Sequence, residues 1–263
     1  MEAWKAFEKS CYNYLVKQYG SRCAFEALGE SDSTYPDVRV TPSSGSPFYV
    51  ETKEAIAQCG QFVLFPDEEQ RAFVYSEGNK SALNESSQAI ISHMNERFDA
   101  FVNAGTKGTK IDLPDGVLYG WIKRYYEDKG VRFFITKGRD HVILPLARFE
   151  AYFSVSATYR IKKSGSSDPS KANIPEIKQI LDARACSYEL MNDGKKWSVK
   201  TGDDLAGLKL RGAKYTYLFK QASSQVYQIR KLSNTQNANV IFSIALKKEQ
   251  DPEDLQAFEA SIS

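Results

Sequence analysis

Hydrophobic and polar residues recur with two different periods along the first third of the chain. Trp4, Phe7, Cys11 and Leu15 follow one another at the spacing of a single helix face, which predicts a helix over residues 2–19. Short apolar runs then predict strands over residues 35–41 and 47–54, joined by the turn-forming sequence PSSGSP. Residues 23–28 are too short to assign to either type.

The middle of the chain carries further apolar runs. GQFVLFP and RAFVYSE are predicted as strands, and NESSQAIISHMNERFDAFVNAG as a helix that begins in NESS and ends at Gly105. GVLYGWIKRYY and VRFFITKG are predicted as strands around the turn EDKG. DHVILPLARFEAYF is predicted to run from a strand into a short helix.

The last third is predicted to be rich in strands. KKSGSSDPSKAN (residues 162–173) has the composition of a loop or linker, and IPEIKQILDAR predicts a short helix. Strands are predicted in KKWSVKTG, AKYTYLFKQ, QVYQIRKL and ANVIFSIALKK. The pattern therefore predicts an α/β core over residues 1–160, a basic linker over 161–173 and a β-rich region over 174–263.

Length and composition are those of a soluble globular protein. The 263 residues include 42% hydrophobic and 26% charged residues, and the chain has neither a long apolar run nor the apolar segment of a signal peptide. Cys11, Cys23, Cys59 and Cys186 form no CxxC pair, which argues against a structural zinc site and favours buried thiols in the reducing cytoplasm.

Charge is distributed unevenly. Residues 157–232 hold 15 Lys and Arg against 7 Asp and Glu, whereas the segments on either side have an acidic excess. A basic region between two acidic ones indicates a polyanionic partner, although solubility alone could also explain it.

Candidate chemistry lies in the two strands around PSSGSP. Glu51 and Lys53 share one face of a strand because side chains at i and i+2 point the same way, and Asp37 reaches the same edge if the two strands pair. Two carboxylates can hold Mg²⁺ against a phosphate, and a lysine beside them can orient or deprotonate a water molecule. The alternative is a salt bridge between Glu51 and Lys53 on an edge strand.

Pro36-Asp37 followed by Glu51-Thr52-Lys53 resembles the signature of the PD-(D/E)XK nucleases, a superfamily that includes most type II restriction endonucleases. The resemblance covers about residues 1–160. It implies a restriction-endonuclease-like core, in which helices flank a mixed central sheet. It also implies that Asp37 and Glu51 are Mg²⁺ ligands and that Lys53 is the catalytic lysine.

Glu8 falls in the middle of the apolar stripe of the first helix, where a carboxylate needs a partner or a metal. Many enzymes of this superfamily carry an acidic residue on that helix, which implies that Glu8 is a further catalytic and metal-binding residue. A buried ion pair with an arginine or lysine is the alternative.

Candidate DNA contacts are polar and basic residues outside the motif. They comprise Gln58 and Gln61, taken as loop residues beyond the lysine, and Arg160, Lys162, Lys163, Arg211, Lys214, Arg230, Lys231 and Asn234. Each has a simpler reading as a solvated loop, a basic linker or part of a strand. His93 and His141 form no catalytic pattern and are predicted to be structural.

These observations predict an Mg²⁺-dependent endodeoxyribonuclease that hydrolyses double-stranded DNA, of the type II restriction class, with the β-rich region contributing recognition. Many such enzymes are two-fold dimers, so a homodimer is predicted. A repair or structure-specific nuclease and a non-catalytic DNA-binding protein of the same fold are the alternatives. No P-loop is present, so the chain is not itself a motor.

Overall fold

The computed structural model describes residues 3–28, 35–163, 165–184, 187–232 and 236–263, with the backbone alone at positions 3, 162, 163, 236 and 237. The described helices are α1 (Ala3–Tyr19), α2 (Glu85–Glu96), α3 (Phe98–Val102), α4 (Asp115–Glu127), α5 (Phe149–Tyr152), α6 (Ile174–Asp182) and α7 (Pro252–Ser261), with 3-10 turns at Leu146–Arg148 and Lys171–Asn173. None of these helices is long and apolar enough to cross a membrane.

The described strands are β1 (Cys23–Ala27), β2 (Val38–Pro42), β3 (Phe48–Thr52), β4 (Ile56–Asp67), β5 (Ala72–Tyr75), β6 (Thr109–Ile111), β7 (Val131–Lys137), β8 (His141–Pro145), β9 (Phe153–Lys163), β10 (Ser166–Ser167), β11 (Tyr188–Asn192), β12 (Trp197–Thr201), β13 (Lys209–Arg211), β14 (Thr216–Ser223), β15 (Val226–Leu232) and β16 (Gln236–Leu246).

The chain divides into two compact units. The first comprises Met1–Arg160 and Ala238–Ser263, and the second Ile161–Asn237. The predicted β-rich region 174–263 therefore spans both units, because β16 and α7 return to the first one. The predicted linker over 161–173 instead contains the end of β9, the strand β10 and a 3-10 turn.

The first unit contains a five-stranded sheet in the order β1-β2-β3-β7-β8, in which β3 and β7 run parallel and the other neighbours antiparallel. Apolar residues of α1 and α7, among them Leu15 and Phe258, pack in one cluster with Val50 and Phe133 of the sheet. Tyr126 of α4 contacts Phe134, which alternates with Phe133 along β7. The central strand β3 is thus covered on one side by α1 and α7.

A second five-stranded sheet of this unit has the order β5-β4-β16-β9-β6. Its core is aromatic: the Trp121 ring of α4 stacks on Phe242 of β16 at a centroid distance of 4.2 Å and lies 5.4 Å from Phe62 of β4. Helix α4 therefore joins the two sheets of the first unit.

The second unit is a sheet in the order β11-β12-β15-β14-β13, with β10 also paired to β15. Ile177 and Leu181 of α6 are buried in the same apolar cluster as Tyr217, Phe219 and Ile229 of this sheet. Helix α6, with a proline in its first turn, confirms the helix predicted from IPEIKQILDAR.

Three of the sequence predictions differ from the structure. GVLYGWIKRYY forms helix α4 rather than a strand. The helix predicted up to Gly105 is two helices, because the backbone leaves helical geometry at Arg97, although its predicted start in NESS is confirmed by the Asn84 cap. Gln58 and Gln61 lie on strand β4 rather than in a loop.

Strand β4 contains a bulge at Cys59 and Gly60. Gln61 pairs with Ile241 and Gln58 with Ser243, so two residues of β4 face the single residue Phe242 of β16. Gly60 has a φ of +122°, and a Cβ added there would lie 2.7 Å from the buried Trp121 ring. The bulge therefore requires glycine at this position.

We expect Gly60→Ala to destabilise the protein by about 2–5 kcal/mol, because it adds both backbone strain and an overlap with Trp121. Urea denaturation followed by circular dichroism measures this as a lower midpoint. Gly116→Ala on α4 is the matched control, since a Cβ there meets nothing within 4 Å. An unchanged midpoint for Gly60→Ala would show that the bulge adapts to a side chain.

Candidate active site

Glu51 lies on β3, in the middle of its sheet, and Lys53 follows directly after the strand. Its parallel partner β7 fixes the register, with Glu51 beside Phe134 and the Lys53 N–H donating to the carbonyl of Ile135 at 3.0 Å. The Lys53 ammonium lies 2.5 Å from Glu51 Oε1 and also donates to the carbonyl of Thr52 at 3.1 Å. The shared face predicted from the i, i+2 spacing is therefore present, and it is buried rather than on an edge strand.

Asp37 reaches the same place from the residue before β2. Its Oδ2 accepts hydrogen bonds from the backbone N–H and the hydroxyl of Thr52, each at 2.7 Å. Both hydrogen bonds are accepted by Oδ2, so they fix the orientation of the carboxylate and leave Oδ1 available for another partner. The structure thus brings together Asp37, Glu51 and Lys53.

Burial and charge set the protonation of this group. Burial raises the pKa of Glu51, and the neighbouring Asp37 carboxylate raises it further against the opposing effect of Lys53. Burial lowers the pKa of Lys53, but the Glu51 and Asp37 carboxylates outweigh it and leave that pKa above its ordinary value. Lys53 is therefore held as an ammonium group.

Glu8, half-buried on α1, lines the same cleft as the motif. Burial and the nearby Asp37 and Glu51 carboxylates raise the pKa of Glu8 to about 7, although Lys53 acts to lower it. Among the ion pairs that the described residues form, none involves Glu8. The contacts thus favour the site reading of this residue over the buried ion pair.

A cleft of about 710 Å³ surrounds these side chains. Its lining includes the carboxylates of Glu8, Asp37 and Glu51, the lysines Lys53, Lys80 and Lys129, and the aromatic residues Trp4, Tyr35, Tyr125 and Tyr126. The cleft belongs to the first unit alone. Its lining carries both signs of charge.

Gln58 and Gln61 also line this cleft. In a regular strand, residues three apart point to opposite faces, but the bulge between them turns both side chains to the same side. Gln58 Nε2 then donates to Gln61 Oε1 at 3.0 Å. The two amides form one polar unit at the wall of the cleft.

Those of the other predicted DNA-contacting residues whose side chains the structure describes do not line this cleft. Arg160, partly buried at the end of the first unit, has an Nε atom with no hydrogen-bond partner among the described residues. Arg211 and Lys214 are exposed in the second unit, and the Lys231 ammonium lies 4.6 Å from the centre of the Tyr215 ring. The side chains of Lys162 and Lys163 and the whole of Asn234 lie outside the described residues.

Arg230 is engaged inside the second unit. Its guanidinium pairs with Asp168 at 2.5 Å, and Nε donates to the Ser166 hydroxyl at 3.1 Å. The NH2 group also donates to the carbonyl of Ser166. These bonds fasten β10 to β15, so Arg230 has a structural role whether or not it also contacts a base.

Sequence reasoning did not select Lys80, Asn79, Tyr126 or Lys129, all of which line the cleft. Lys129 belongs to the EDKG turn. Its place directly before the predicted strand VRFFITKG was the one feature of the sequence that could have indicated a role for it. The predicted structural histidines agree with their surroundings: His141 stacks on Tyr14 at 4.0 Å, and His93 contacts Phe101 and Arg97.

The donor set suits a hard divalent cation. Glu51 Oε2 is buried and has no hydrogen-bond partner in the part of the chain that the structure describes, which is costly unless a ligand occupies that side. Among the described residues, no group of three or more His, Cys, Asp or Glu side chains converges as a metal site. Asp37 and Glu51 would therefore hold a cation that keeps several waters, as Mg²⁺ does.

We expect Glu8→Gln to become more stable than the wild type as the pH rises, in metal-free buffer. In the folded protein the pKa of Glu8 is about 7, whereas its ordinary value is 4.5. The wild type is therefore at its full stability below pH 4.5, where Glu8 is protonated in both the folded and the unfolded state. It loses stability as the pH rises through 7, because the folded protein must then hold a charged Glu8. Melting temperatures should therefore agree at pH 4.5 and favour Glu8→Gln at pH 8. Glu127→Gln, which changes an exposed carboxylate, is the control. Lower stability of Glu8→Gln than of the wild type at pH 8 would instead support the interpretation of Glu8 as part of a buried ion pair.

We expect Arg230→Ala to lower the stability of the second unit by about 1–3 kcal/mol, since it leaves Asp168 without its charged partner. Thermal unfolding followed by circular dichroism measures the change. Lys220→Ala, at an exposed position of β14, should leave the melting temperature unaltered. Equal stability of the two variants would contradict the structural role of Arg230.

Comparison with models of known protein families and with curated proteins finds no match. Comparison with solved structures finds one described as HhaI endonuclease in complex with DNA. The two chains are 43% identical, the match covers 99% of each, and the TM-score is 0.72. Identity of this extent over the whole length of both chains shows a common family. The chain belongs to the restriction endonuclease family of HhaI endonuclease.

Proposed function

We propose that this protein is a divalent-metal-dependent endodeoxyribonuclease of the PD-(D/E)XK type, which cleaves double-stranded DNA at specific sites as a type II restriction enzyme. The observation that carries the proposal is the convergence of Asp37, Glu51 and Lys53 in one cleft, with a buried Glu51 oxygen that has no hydrogen-bond partner among the residues described. Membership in the family of an endonuclease solved with DNA supports the same substrate.

Asp37 and Glu51 would hold the cation, for which Mg²⁺ is the natural choice because both donors are hard oxygens. Bound there, a divalent cation supplies Lewis-acid activation of the phosphate and of the attacking water. The hydrogen bonds from Thr52 keep the Asp37 carboxylate in place without an added reorganisation cost.

Lys53 acts as a cation rather than as a base. The two carboxylates keep it protonated, so its ammonium can donate to the attacking water or to a phosphate oxygen and offset the charge that develops on the attacked phosphate. Glu8, whose pKa is about 7, can exchange a proton with water at neutral pH from the same cleft.

DNA recognition would draw on two regions. The Gln58–Gln61 pair presents amide donors and acceptors at the cleft wall, the groups that read base edges or bind backbone oxygens. The second unit holds 14 Lys and Arg against 7 Asp and Glu, which suits phosphate contacts. The predicted homodimer and the cytoplasmic location stay predictions of the sequence.

Incubation of the purified protein with a plasmid and Mg²⁺ tests the proposal, with EDTA in place of Mg²⁺ as the control. Discrete fragments that require Mg²⁺ are expected. A smear of products would indicate a nuclease without site specificity. DNA binding without cleavage would indicate a non-catalytic DNA-binding protein, and neither binding nor cleavage would overturn the proposal as a whole.

We expect Lys53→Ala to lower the single-turnover cleavage rate by at least about 100-fold while the affinity for cognate DNA is largely kept, because the lost cation acts on the reacting groups. Gel-shift titration and quenched time courses measure the two quantities. Lys137→Ala is the matched control, since this lysine ends the neighbouring strand β7 outside the cleft. A rate within tenfold of the wild type would remove Lys53 from the chemistry.

A further inference from the structure

Two lysines that do not belong to the motif line the cleft. Lys80 follows β5, and Lys129 follows α4, so segments far apart in the sequence bring them together. Both also line a smaller adjoining cavity of about 170 Å³, together with Ser81, Tyr125 and Asp128. Asp37, Glu51 and Lys53 are absent from the lining of that smaller cavity.

The backbone at Lys129 is held firmly. Its N–H donates to the carbonyl of Tyr126 at 3.2 Å, and the next residue, Gly130, has a φ of +73° and donates to the carbonyl of Glu127 at 2.8 Å. Val131 then begins β7, the parallel partner of β3. The turn that ends α4 thus fixes Lys129 relative to the strand that carries Glu51.

Aromatic rings direct the Lys129 side chain. Its ammonium lies 4.6 Å from the centre of the Tyr125 ring and 5.9 Å from that of Tyr126. The Lys53 ammonium lies 5.9 Å from the same Tyr126 ring. One buried ring therefore contacts the motif lysine and the second lysine together.

Of the described residues that line the smaller cavity, Asp128 is the one with a carboxylate. It pairs with Arg124, at 3.0 Å between Oδ1 and Nε, so its charge is engaged on the helix surface. Lys80 and Lys129 line the cavity as well, so its described lining carries more positive than negative charge. A positively charged lining suits an anionic group such as a phosphate.

Resting on the proposed function, we propose that Lys80 and Lys129 form a binding subsite for a phosphate of the cleaved strand, next to the phosphate that is hydrolysed. Ammonium groups bind phosphate oxygens as point charges. Phosphates recur about every 3.4 Å of helix axis along one strand, so a strand seated at the motif brings a second phosphate close by. The subsite would hold the strand in register with Asp37 and Glu51.

The test replaces individual phosphates of a cognate duplex by uncharged methylphosphonates, one position at a time around the cleaved bond. Affinity is measured in Ca²⁺, which accepts the same oxygen ligands as Mg²⁺, for the wild type and for Lys80→Gln, Lys129→Gln and Lys123→Gln. Lys123 is the matched control because it lies on α4 outside both cavities.

At one position beside the cleaved bond, the methylphosphonate should weaken wild-type binding about tenfold. It should weaken Lys129→Gln and Lys80→Gln much less, because their contact with that phosphate is already lost. Lys123→Gln should respond as the wild type does. Each of the two cleft variants should also reduce the slope of log K against log salt by about 0.9.

Equal losses of affinity in all four proteins at every methylphosphonate position would overturn the proposed subsite. So would a difference between the variants and the wild type that is seen only when the cleaved phosphate itself is replaced. Both results require a wild type that binds and cleaves the duplex. A wild type that does neither refutes the proposed function instead, so the two failures are distinguishable.

Discussion

The hydrogen bonds from Thr52 to the Asp37 carboxylate are the constraint on which the candidate site depends. Val38 and Val50 pair across β2 and β3, and Asp37 stands just beyond the end of that ladder. Its side-chain oxygen accepts the Thr52 N–H, which continuation of β2 would otherwise satisfy. Because Thr52 separates Glu51 from Lys53, this bond ties Asp37 to both. Lys53, paired with Glu51, offsets part of the negative charge of the three carboxylates that share the cleft.

The motif could be predicted because its geometry is mostly local. Glu51 and Lys53 share a face through the period of a strand, and Glu8 lies in the apolar stripe through the period of a helix. Helix α4 was missed because GVLYGWIKRYY is rich in residues that favour strands. Leu118, Trp121, Ile122 and Tyr126, which are all buried, nevertheless follow the helical period. Periodicity was the better guide there than composition.

Contacts between distant segments account for what the sequence did not reveal. The bulge at Cys59 and Gly60 exists only opposite Phe242 of β16, about 180 residues later in the chain. Without that strand, Gln58 and Gln61 would point to opposite sides, and no local pattern predicts their hydrogen bond. The lysines of the second cavity meet through the same kind of long-range packing. Neither Lys80 nor Lys129 stands in a motif, so a charge count along the chain cannot select them.

Under the proposed function, the uneven distribution of charge fits the conflict between a metal site and a phosphate substrate. Carboxylates that hold a cation repel the phosphates that the site must approach. By sequence, the first unit has 21 Lys and Arg against 26 Asp and Glu, whereas the second has 14 against 7. The excess of positive charge, which attracts polyanions, thus lies in the second unit, more than 100 residues after the motif in the sequence. Within the cleft, Lys53, Lys80 and Lys129 match Glu8, Asp37 and Glu51 in number. Under the proposed function, the divalent cation then adds the positive charge that lets a phosphate enter, so binding of metal and of DNA should reinforce one another.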